Sequence, residues 1–156
     1  MPSYGPEQRG GTASCVVTIS DGPIGSPLAE RLSGALVFNR PSMVKFLPLM
    51  SEGSVAILNS CMVKASSRSC RARLFHVPAD DIARDAGTSR SANIVMLGSY
   101  IEACGIVSFA AAGEAIAEYL ETRIHLVEAN RKALEAGRRF MRGLWVGSER
   151  ELRHAV

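Results

Sequence analysis

The sequence contains neither a run of about 20 consecutive apolar residues nor an N-terminal signal peptide. We therefore predict a chain that does not enter the membrane and that stays in the reducing cytoplasm. The formal net charge is only +3, which argues against a nucleic-acid-binding surface. Hydrophobic residues make up 47% of the 156 positions, which is enough to form the buried core of one globular domain.

Clustered metal ligands are also lacking. The four cysteines lie at positions 15, 61, 70 and 104, and no pair has the CxxC spacing typical of zinc or iron–sulfur ligation. Cys15 and Cys104 lie in apolar runs and are predicted to be small core residues. His76 and His125 have no second ligand at helix or strand spacing, so we expect no metal in this chain. A nucleophile elbow is absent too.

The first half of the chain has the pattern of strands. The predicted strands are 14–20, 34–39, 54–58 and 71–77. In the first, successive side chains alternate between the two faces of the strand, with Cys15, Val17 and Ile19 on one face. The second and third are almost wholly apolar, which is typical of parallel strands buried on both faces. Pro41 lies between them and favours the start of a short helix, so this unit predicts parallel pairing with a right-handed crossover.

The second half has helical periodicity. The predicted helices are 80–85, 91–104, 109–121 and 125–141, followed by a frayed tail at 147–156. Segment 91–104 is apolar on almost every side, which predicts a buried helix, and its small residues Gly98 and Ser99 permit close packing. In segment 109–121 the residues predicted to be buried are Phe109, Ala112, Ile116, Tyr119 and Leu120. The late arginines, Arg138, Arg139 and Arg142 among them, are interpreted as a solvated helix face.

Together these elements predict an α/β fold: a layered α/β/α domain with a mostly parallel or mixed sheet, strands early and helices late.

The opening loop is the best candidate for a binding site. Its residues are Ser3, Tyr4, Gly5, Pro6, Glu7, Arg9, Gly10, Gly11 and Thr12. Consecutive glycines let backbone N–H groups approach a ligand or a partner closely. Arg9 has the guanidinium that binds a phosphate or carboxylate through two hydrogen bonds. The alternative is a tight structural loop in which Arg9 pairs with Glu7.

Three further polar residues are secondary candidates. Asn59 and Ser60 follow the predicted strand 54–58, and ligands of open α/β sheets favour the carboxyl ends of strands. The alternative for this pair is that it caps the following turn. Asn93 lies in the apolar segment 91–104, where we expect it to need a buried partner. Packing or capping would explain Asn93 as well as a ligand would.

Several motifs, in their order along the chain, resemble one enzyme family. Residues 3–15, SYGPEQRGGTASC, match S-Y-G-P-E-x-R-G-G-T-x-x-C, and residues 19–27, ISDGPIGSP, match I-S-D-x-P-I-x-S-P. An N-x-P-S-x-x-K-F motif begins at Asn39, and NRKALEAG occupies residues 130–137. This set is similar to the gamma subunit, or gamma domain, of 2-oxoacid:ferredoxin oxidoreductases. The likeness covers residues 1–142 as a partial gamma domain and leaves 143–156 as a charged C-terminal tail.

The resemblance implies a non-catalytic subunit of an enzyme that converts a 2-oxoacid and CoA to acyl-CoA and carbon dioxide and reduces ferredoxin. Thiamine diphosphate, magnesium and iron–sulfur clusters would belong to partner chains, namely the alpha, beta and ferredoxin-like delta subunits. CoA would be a co-substrate. The form of the motif at residues 4–7, YGPE, looks more like the 2-oxoglutarate or branched-chain subfamilies than the pyruvate subfamily.

One part of the family pattern has no counterpart in this sequence. The family begins with a strand, a glycine-rich G-x-G-G-Q-G loop and a helix, and we expect their absence to leave an unpaired sheet edge. Two other interpretations therefore stay open. The chain would be a free-standing α/β domain that binds a small molecule as a monomer, or a non-functional truncated remnant of a gamma subunit.

Overall fold

The computed structural model describes residues 2–3, 13–25, 29–64 and 71–154, with side chains through residue 144. Three strands form a parallel sheet: β3 (Leu32–Val37), β4 (Met50–Asn59) and β5 (Arg73–Val77), in the order β3-β4-β5. The register places Val55 of β4 beside Gly34 on one side and Arg73 on the other. The strands predicted at 34–39, 54–58 and 71–77 and their parallel pairing are thus confirmed.

The predicted strand 14–20 is wrong beyond its first two residues. Of this segment only Ser14 and Cys15 form a strand, β2 (Ser14–Cys15), which pairs antiparallel with β1 (Pro2–Ser3). Val17 and Ile19 are 77% and 75% exposed, and Cys15 is exposed rather than in the core. No strand within the described ranges pairs with 16–20, and an alternating pattern becomes a strand only where a neighbouring strand and a core receive it.

The helices follow the predicted order. Their bounds are α1 Arg40–Phe46, α2 Ala79–Asp85, α3 Ala92–Cys104, α4 Phe109–Tyr119 and α5 Ile124–His154, with 3₁₀ turns at Leu47–Leu49 and Glu121–Arg123. Helix α1 begins where the sequence predicts it to. Asn39 Oδ1 accepts a hydrogen bond from the Ser42 amide at 2.9 Å, and Pro41 lies in the first turn. No helix in the described part of the chain is both long and apolar enough to cross a bilayer.

Helix α5 is longer than predicted. It runs for 31 residues without a break, so the frayed tail expected from Gly147 is wrong and helix continues to His154. The segment 148–153, SERELR, is rich in residues with good helix propensity. A single preceding glycine costs only about 1 kcal/mol, which does not stop a helix that is already formed.

Residues of β4 alternate between two cores. Val55 and Ile57 pack in a core that includes Val95 and Met96 of α3. Ala56 and Leu58 pack in a second core, on the other face of the sheet, with residues such as Met43 of α1. Since each face of the sheet is covered by helix, the molecule has three layers, and the α/β/α prediction is confirmed.

Helices α3 and α5 touch through their backbones. A Cβ atom built on Gly98 would lie 2.1 Å from the Leu134 carbonyl oxygen, and one on Gly137 would lie 2.0 Å from that of Val95. The Ser99 hydroxyl lies 3.0 Å from the Val95 carbonyl oxygen and 3.1 Å from that of Gly137. The close packing predicted for Gly98 and Ser99 is therefore confirmed, and it brings the backbones of α3 and α5 into contact.

Tyr119 is 87% exposed, so its predicted burial is wrong. Helix α4 buries Ile116, and Leu120, just past its end, is buried beside it; the two are four residues apart and share one face. Tyr119 is one position earlier and points about 100° away from Leu120. Its ring is left at the protein surface at the end of α4.

Candidate functional site

The carboxyl ends of the three parallel strands meet at one edge of the sheet, where ligands of open α/β folds bind. Asn59 ends β4 at this edge, and α2 begins beside it, directly after β5. The sequence thus predicts the right edge for the pair Asn59 and Ser60. The hydrogen-bond partners of Asn59 and Ser60 decide whether these side chains are available to a ligand.

The side-chain amide of Asn59 is hydrogen-bonded to other protein groups through both its nitrogen and its oxygen. Its side chain is 2% exposed; Nδ2 donates to Asp80 Oδ2 at 2.7 Å, and Oδ1 accepts from the Cys61 amide at 3.2 Å. Its backbone carbonyl accepts from the Val63 amide at 2.8 Å. These bonds close the turn after β4 and fasten it to the start of α2, which favours the turn-capping interpretation.

Ser60 and Asn93 are placed differently. The Ser60 amide donates to the Val77 carbonyl at 2.9 Å, which continues the β4–β5 pairing into the turn. Asn93 is exposed in the first turn of α3, so the expectation that it needs a buried partner is wrong. It belongs to α3 and borders a groove between helices. Roles for these residues in ligand binding stay predictions.

The opening loop lies mostly outside the described residues. Ser3 belongs to β1, and its backbone pairs with Ser14 of β2, which anchors the end of the loop. Tyr4, Gly5, Pro6, Glu7, Arg9, Gly10, Gly11 and Thr12 lie outside the described ranges. The assignment of this loop as a binding or interface element therefore stays a prediction.

A small polar cluster borders the Asn59 turn. The Cys61 thiol lies 3.5 Å from Asp81 Oδ2, and Arg84 forms an ion pair with the same carboxylate. Hydrogen bonds from Arg84 and then from Cys61 hold the pKa of Asp81 below its usual range. The carboxylate is thus already paired, and the cluster is the charged surface of α2.

The described residues contain no group of three or more His, Cys, Asp or Glu side chains that could hold a metal ion. His76 and His125 are both exposed and lie on different elements, β5 and α5. The donor set in this part of the chain therefore does not fit a metal centre.

One charged cluster escaped the sequence analysis. Glu102 of α3 accepts from Arg138 Nε at 3.1 Å and from Arg142 Nε at 2.8 Å. The Arg138 guanidinium lies 4.3 Å from the Phe109 ring centroid, so the interpretation of Arg138 as part of a solvated face is wrong. The signal was present, because Glu102 is the one charged residue in the apolar segment 92–104 and a carboxylate there needs a cation.

Glu102 gives the domain a pH-dependent stability. Burial raises the pKa of Glu102, but hydrogen bonds from Arg142 and Arg138 outweigh it, and the net pKa is lowered. A carboxyl group with a lowered folded-state pKa stabilises the protein above its unfolded pKa of about 4.3. That contribution is lost as the pH falls through the folded-state pKa.

We expect Glu102→Gln to lower the free energy of unfolding by about 1–2 kcal/mol near pH 7, because it removes two charge-assisted hydrogen bonds at a partly exposed site. The difference from the wild type should shrink on acidification below about pH 4. Urea unfolding at several pH values measures both. Glu128→Gln is the matched control, since Glu128 lies 3.9 Å from Lys132 in an exposed pair worth less than about 0.5 kcal/mol. Equal losses for both variants would contradict the assignment.

Two grooves flank α4. One, of about 1050 Å³, is lined by side chains of both charge signs, such as Glu114, Glu128, Arg131 and Lys132. The other, of about 620 Å³, lies between α3, α4 and the start of α5 and has an apolar floor. Neither groove includes the carboxyl edge of the sheet. Sequence reasoning missed both grooves, since each is formed by side chains distant in the chain.

The chain matches a known family in sequence. The family model described as "Pyruvate ferredoxin/flavodoxin oxidoreductase" matches residues 1–140. The ketoisovalerate oxidoreductase subunit VorA of Methanothermobacter thermautotrophicus is 37% identical over 143 residues, which are 90% of this chain and 29% of the relative. The 2-oxoglutarate synthase subunit KorC of the same organism is 32% identical over 142 residues, 87% of this chain and 74% of that subunit.

The fold is also known. The gamma subunit of a keto/oxoacid ferredoxin oxidoreductase from Geobacter sulfurreducens superimposes with a TM-score of 0.73 at 29% identity, over 92% of this chain and 79% of that one. The pyruvate oxidoreductase subunit PORC from Thermotoga maritima shares the fold, with a TM-score of 0.55 at 22% identity over 70% of this chain and 64% of that one.

These matches cover most of this chain but differ in how much of each relative they cover. The chain spans 29% of the length of the VorA subunit that it matches, and 74% of the KorC subunit. The family model nonetheless extends over nearly all of the described α/β/α domain. The chain belongs to the pyruvate ferredoxin/flavodoxin oxidoreductase family.

Proposed function

We propose that this chain is the gamma-type subunit of a 2-oxoacid:ferredoxin oxidoreductase and is not active alone. The observation that carries the proposal is the joint match in sequence and fold, over 92% of the chain, to a gamma subunit of a keto/oxoacid ferredoxin oxidoreductase. In the proposed reaction a 2-oxoacid and CoA yield acyl-CoA and carbon dioxide, and the two electrons released reduce ferredoxin.

In this proposal the redox chemistry takes place on partner chains. Thiamine diphosphate, magnesium and iron–sulfur clusters lie on alpha, beta and ferredoxin-like delta subunits, and CoA is a co-substrate. The task of this chain is to position substrate and to hold the partners together. The proposed substrate is 2-oxoglutarate or a branched-chain 2-oxoacid, since its relatives VorA and KorC are named for ketoisovalerate and 2-oxoglutarate.

The test is purification of the complex through an affinity tag on this chain, under anaerobic conditions and from the organism that encodes it. We expect stoichiometric partner chains and reduction of ferredoxin that requires both CoA and a 2-oxoacid. Comparing 2-oxoglutarate, ketoisovalerate and pyruvate identifies the substrate. A tagged chain that elutes as a monomer without partners would reject the proposal.

Within this function the opening loop, residues 3–12, is proposed to face a partner subunit and to shape the CoA or 2-oxoacid site. Three glycines, a tyrosine and an arginine lie within ten residues, and both proposed substrates are anions. A guanidinium suits a carboxylate or phosphate because of its planar pair of donors. The β1–β2 pairing anchors the loop at Ser3 and Ser14.

We expect Arg9→Ala in the assembled enzyme to raise KM for CoA or the 2-oxoacid about tenfold or more, because one charge-assisted hydrogen bond is worth about 1.5–3 kcal/mol. Steady-state kinetics with each substrate varied in turn measures this. Assembly and cluster content should be unchanged. Arg139→Ala, at an exposed position of α5, is the matched control and should leave both KM values unaltered. A complex that dissociates while KM stays at the wild-type value would make Arg9 a structural or interface residue.

A further inference from the structure

The groove of about 620 Å³ has an apolar floor built by three helices. The side chains that form it are Ile94, Leu97 and Ile101 of α3, Ile116 of α4, Leu120 just after α4, and Leu126 of α5. Ile101, Ile116 and Leu120 belong to one buried cluster, and Ile94, Leu97 and Leu126 are partly buried hydrophobic residues packed against it. The floor is therefore the open side of a packed core and holds a fixed shape.

The charged residues of the groove are all basic. Arg90 lies just before α3, and Arg123 lies just before α5; both line the groove, and no acidic side chain among the described residues does. Both arginines are exposed, and within the described part of the chain neither forms an ion pair. This contrasts with Arg138 and Arg142, which share the Glu102 carboxylate. Carboxylates on an occupant of the groove would complement these two exposed guanidinium groups.

Exposed apolar side chains extend from the mouth of the groove. Tyr119 and Val107 line it and are 87% and 41% exposed, and their near neighbours along the chain, Ile124 and Ile106, are 76% and 52% exposed. A bound small molecule would leave these side chains in water, whereas a polypeptide segment would cover them. Exposed aromatic and apolar side chains bordered by polar or charged ones, here the basic rim of Arg90 and Arg123, are typical of protein interfaces.

We propose that this groove docks an amphipathic segment of a partner subunit, with carboxylates on either side of an apolar stripe. The apolar stripe packs on the floor between α3 and α4, as a helix packs in a groove through side chains three and four residues apart. The carboxylates pair with Arg90 and Arg123. This inference rests on the function proposed above, because the partner is another chain of the same oxidoreductase complex.

The first test reverses the charge of Arg90 and Arg123 in the complex that is purified through the tag on this chain. The double variant Arg90→Glu, Arg123→Glu should retain less than about one tenth of the partner chains that the wild type retains, measured by quantitative mass spectrometry of the purified complex. The control is Arg131→Glu, Arg139→Glu, the same charge change at exposed positions in the other groove, which should retain them. Circular dichroism of each variant checks that the fold is intact.

The second test places a photoreactive benzoylphenylalanine at position 119, in exchange for the exposed tyrosine. We expect cross-links to a segment of a thiamine- or cluster-bearing chain in which acidic and apolar residues alternate with helical spacing. Cross-links to a second copy of this chain or to a basic segment would overturn the assignment, as would a small molecule found bound at this groove by native mass spectrometry.

The two proposals fail in different ways. If the wild-type chain is purified without partners, both the function and the docking groove are rejected. If the wild type retains its partners and the rim variant retains them equally well, only the groove assignment is rejected, and the function stands.

Discussion

Replacing either Gly98 or Gly137 with alanine is expected to destabilise the domain by about 3 kcal/mol, a large part of the roughly 5–15 kcal/mol of a typical domain. The new Cβ atoms would lie 2.1 Å from the Leu134 carbonyl oxygen and 2.0 Å from the Val95 carbonyl oxygen. Both obstacles are helix backbone rather than the flexible end of a side chain, so α3 and α5 must separate. Separation also removes the contact of the Ser99 hydroxyl with α5.

Urea unfolding of the two variants measures the effect. Gly113→Ala in α4 is the matched control, because among the described residues no atom outside the local backbone of α4 lies within 4 Å of the added Cβ, and alanine in a helix is favoured by up to about 1 kcal/mol. The variant that carries alanine at both Gly98 and Gly137 should lose less than the sum of the single losses, since one separation of the helices relieves both clashes. Stability equal to that of Gly113→Ala would show that the helices are not in backbone contact.

The elements that were predicted correctly are those specified by local sequence. The apolar run 54–58 becomes the buried part of the central strand β4, which begins earlier than predicted, at Met50, and includes Gly53 with its φ of 74°. Asn39 and Pro41 fix the start of α1 through interactions within one turn. In these places the residues needed for the structure lie within a few positions of one another, so a single sequence contains the whole signal.

The features that escaped prediction depend on distant partners. Glu102 meets Arg138 and Arg142 across 36 and 40 positions, and no local pattern indicates which of several arginines comes close. Val17 and Ile19 show the alternation of a strand, but the pattern does not reveal whether another strand pairs with them. Long-range contacts decide both of these outcomes. Tyr119 differs, because its position about 100° from Leu120 on the helix follows from helical periodicity alone.

The candidate site, too, could be predicted from the sequence only in part. The rule for parallel sheets places Asn59 at the correct edge, yet its partner Asp80 is 21 positions away and could not be named from the sequence. The opening loop at residues 4–12 lies outside the described ranges, so its role still rests on sequence. For Asn59, however, the geometry permits a test that separates a structural role from a ligand-binding role.

Asn59→Asp is expected to destabilise the domain by about 3 kcal/mol near neutral pH. The native amide donates to the Asp80 carboxylate at 2.7 Å and accepts from the Cys61 amide at 3.2 Å. A carboxylate accepts but does not donate, so the variant places two negative groups against each other at a position that is only 2% exposed. Asn39→Asp is the matched control. Within the described residues, the Asn39 side chain accepts a hydrogen bond from the Ser42 amide and donates none, and aspartate caps a helix as well as asparagine does.

The exchange variant Asn59→Asp, Asp80→Asn tells the two roles apart. It restores one amide and one carboxylate to the pair, so we expect it to recover about 2 kcal/mol of the loss, and a double-mutant cycle from urea unfolding measures that coupling. If Asn59 only closes the turn, the assembled enzyme carrying the exchange should also regain wild-type kcat and KM. Recovered stability with KM still raised about tenfold or more would mean that the Asn59 amide contacts substrate in the complex. Absence of any coupling would reject the structural role, because a part-buried pair at 2.7 Å cannot be broken and reformed without a change in stability.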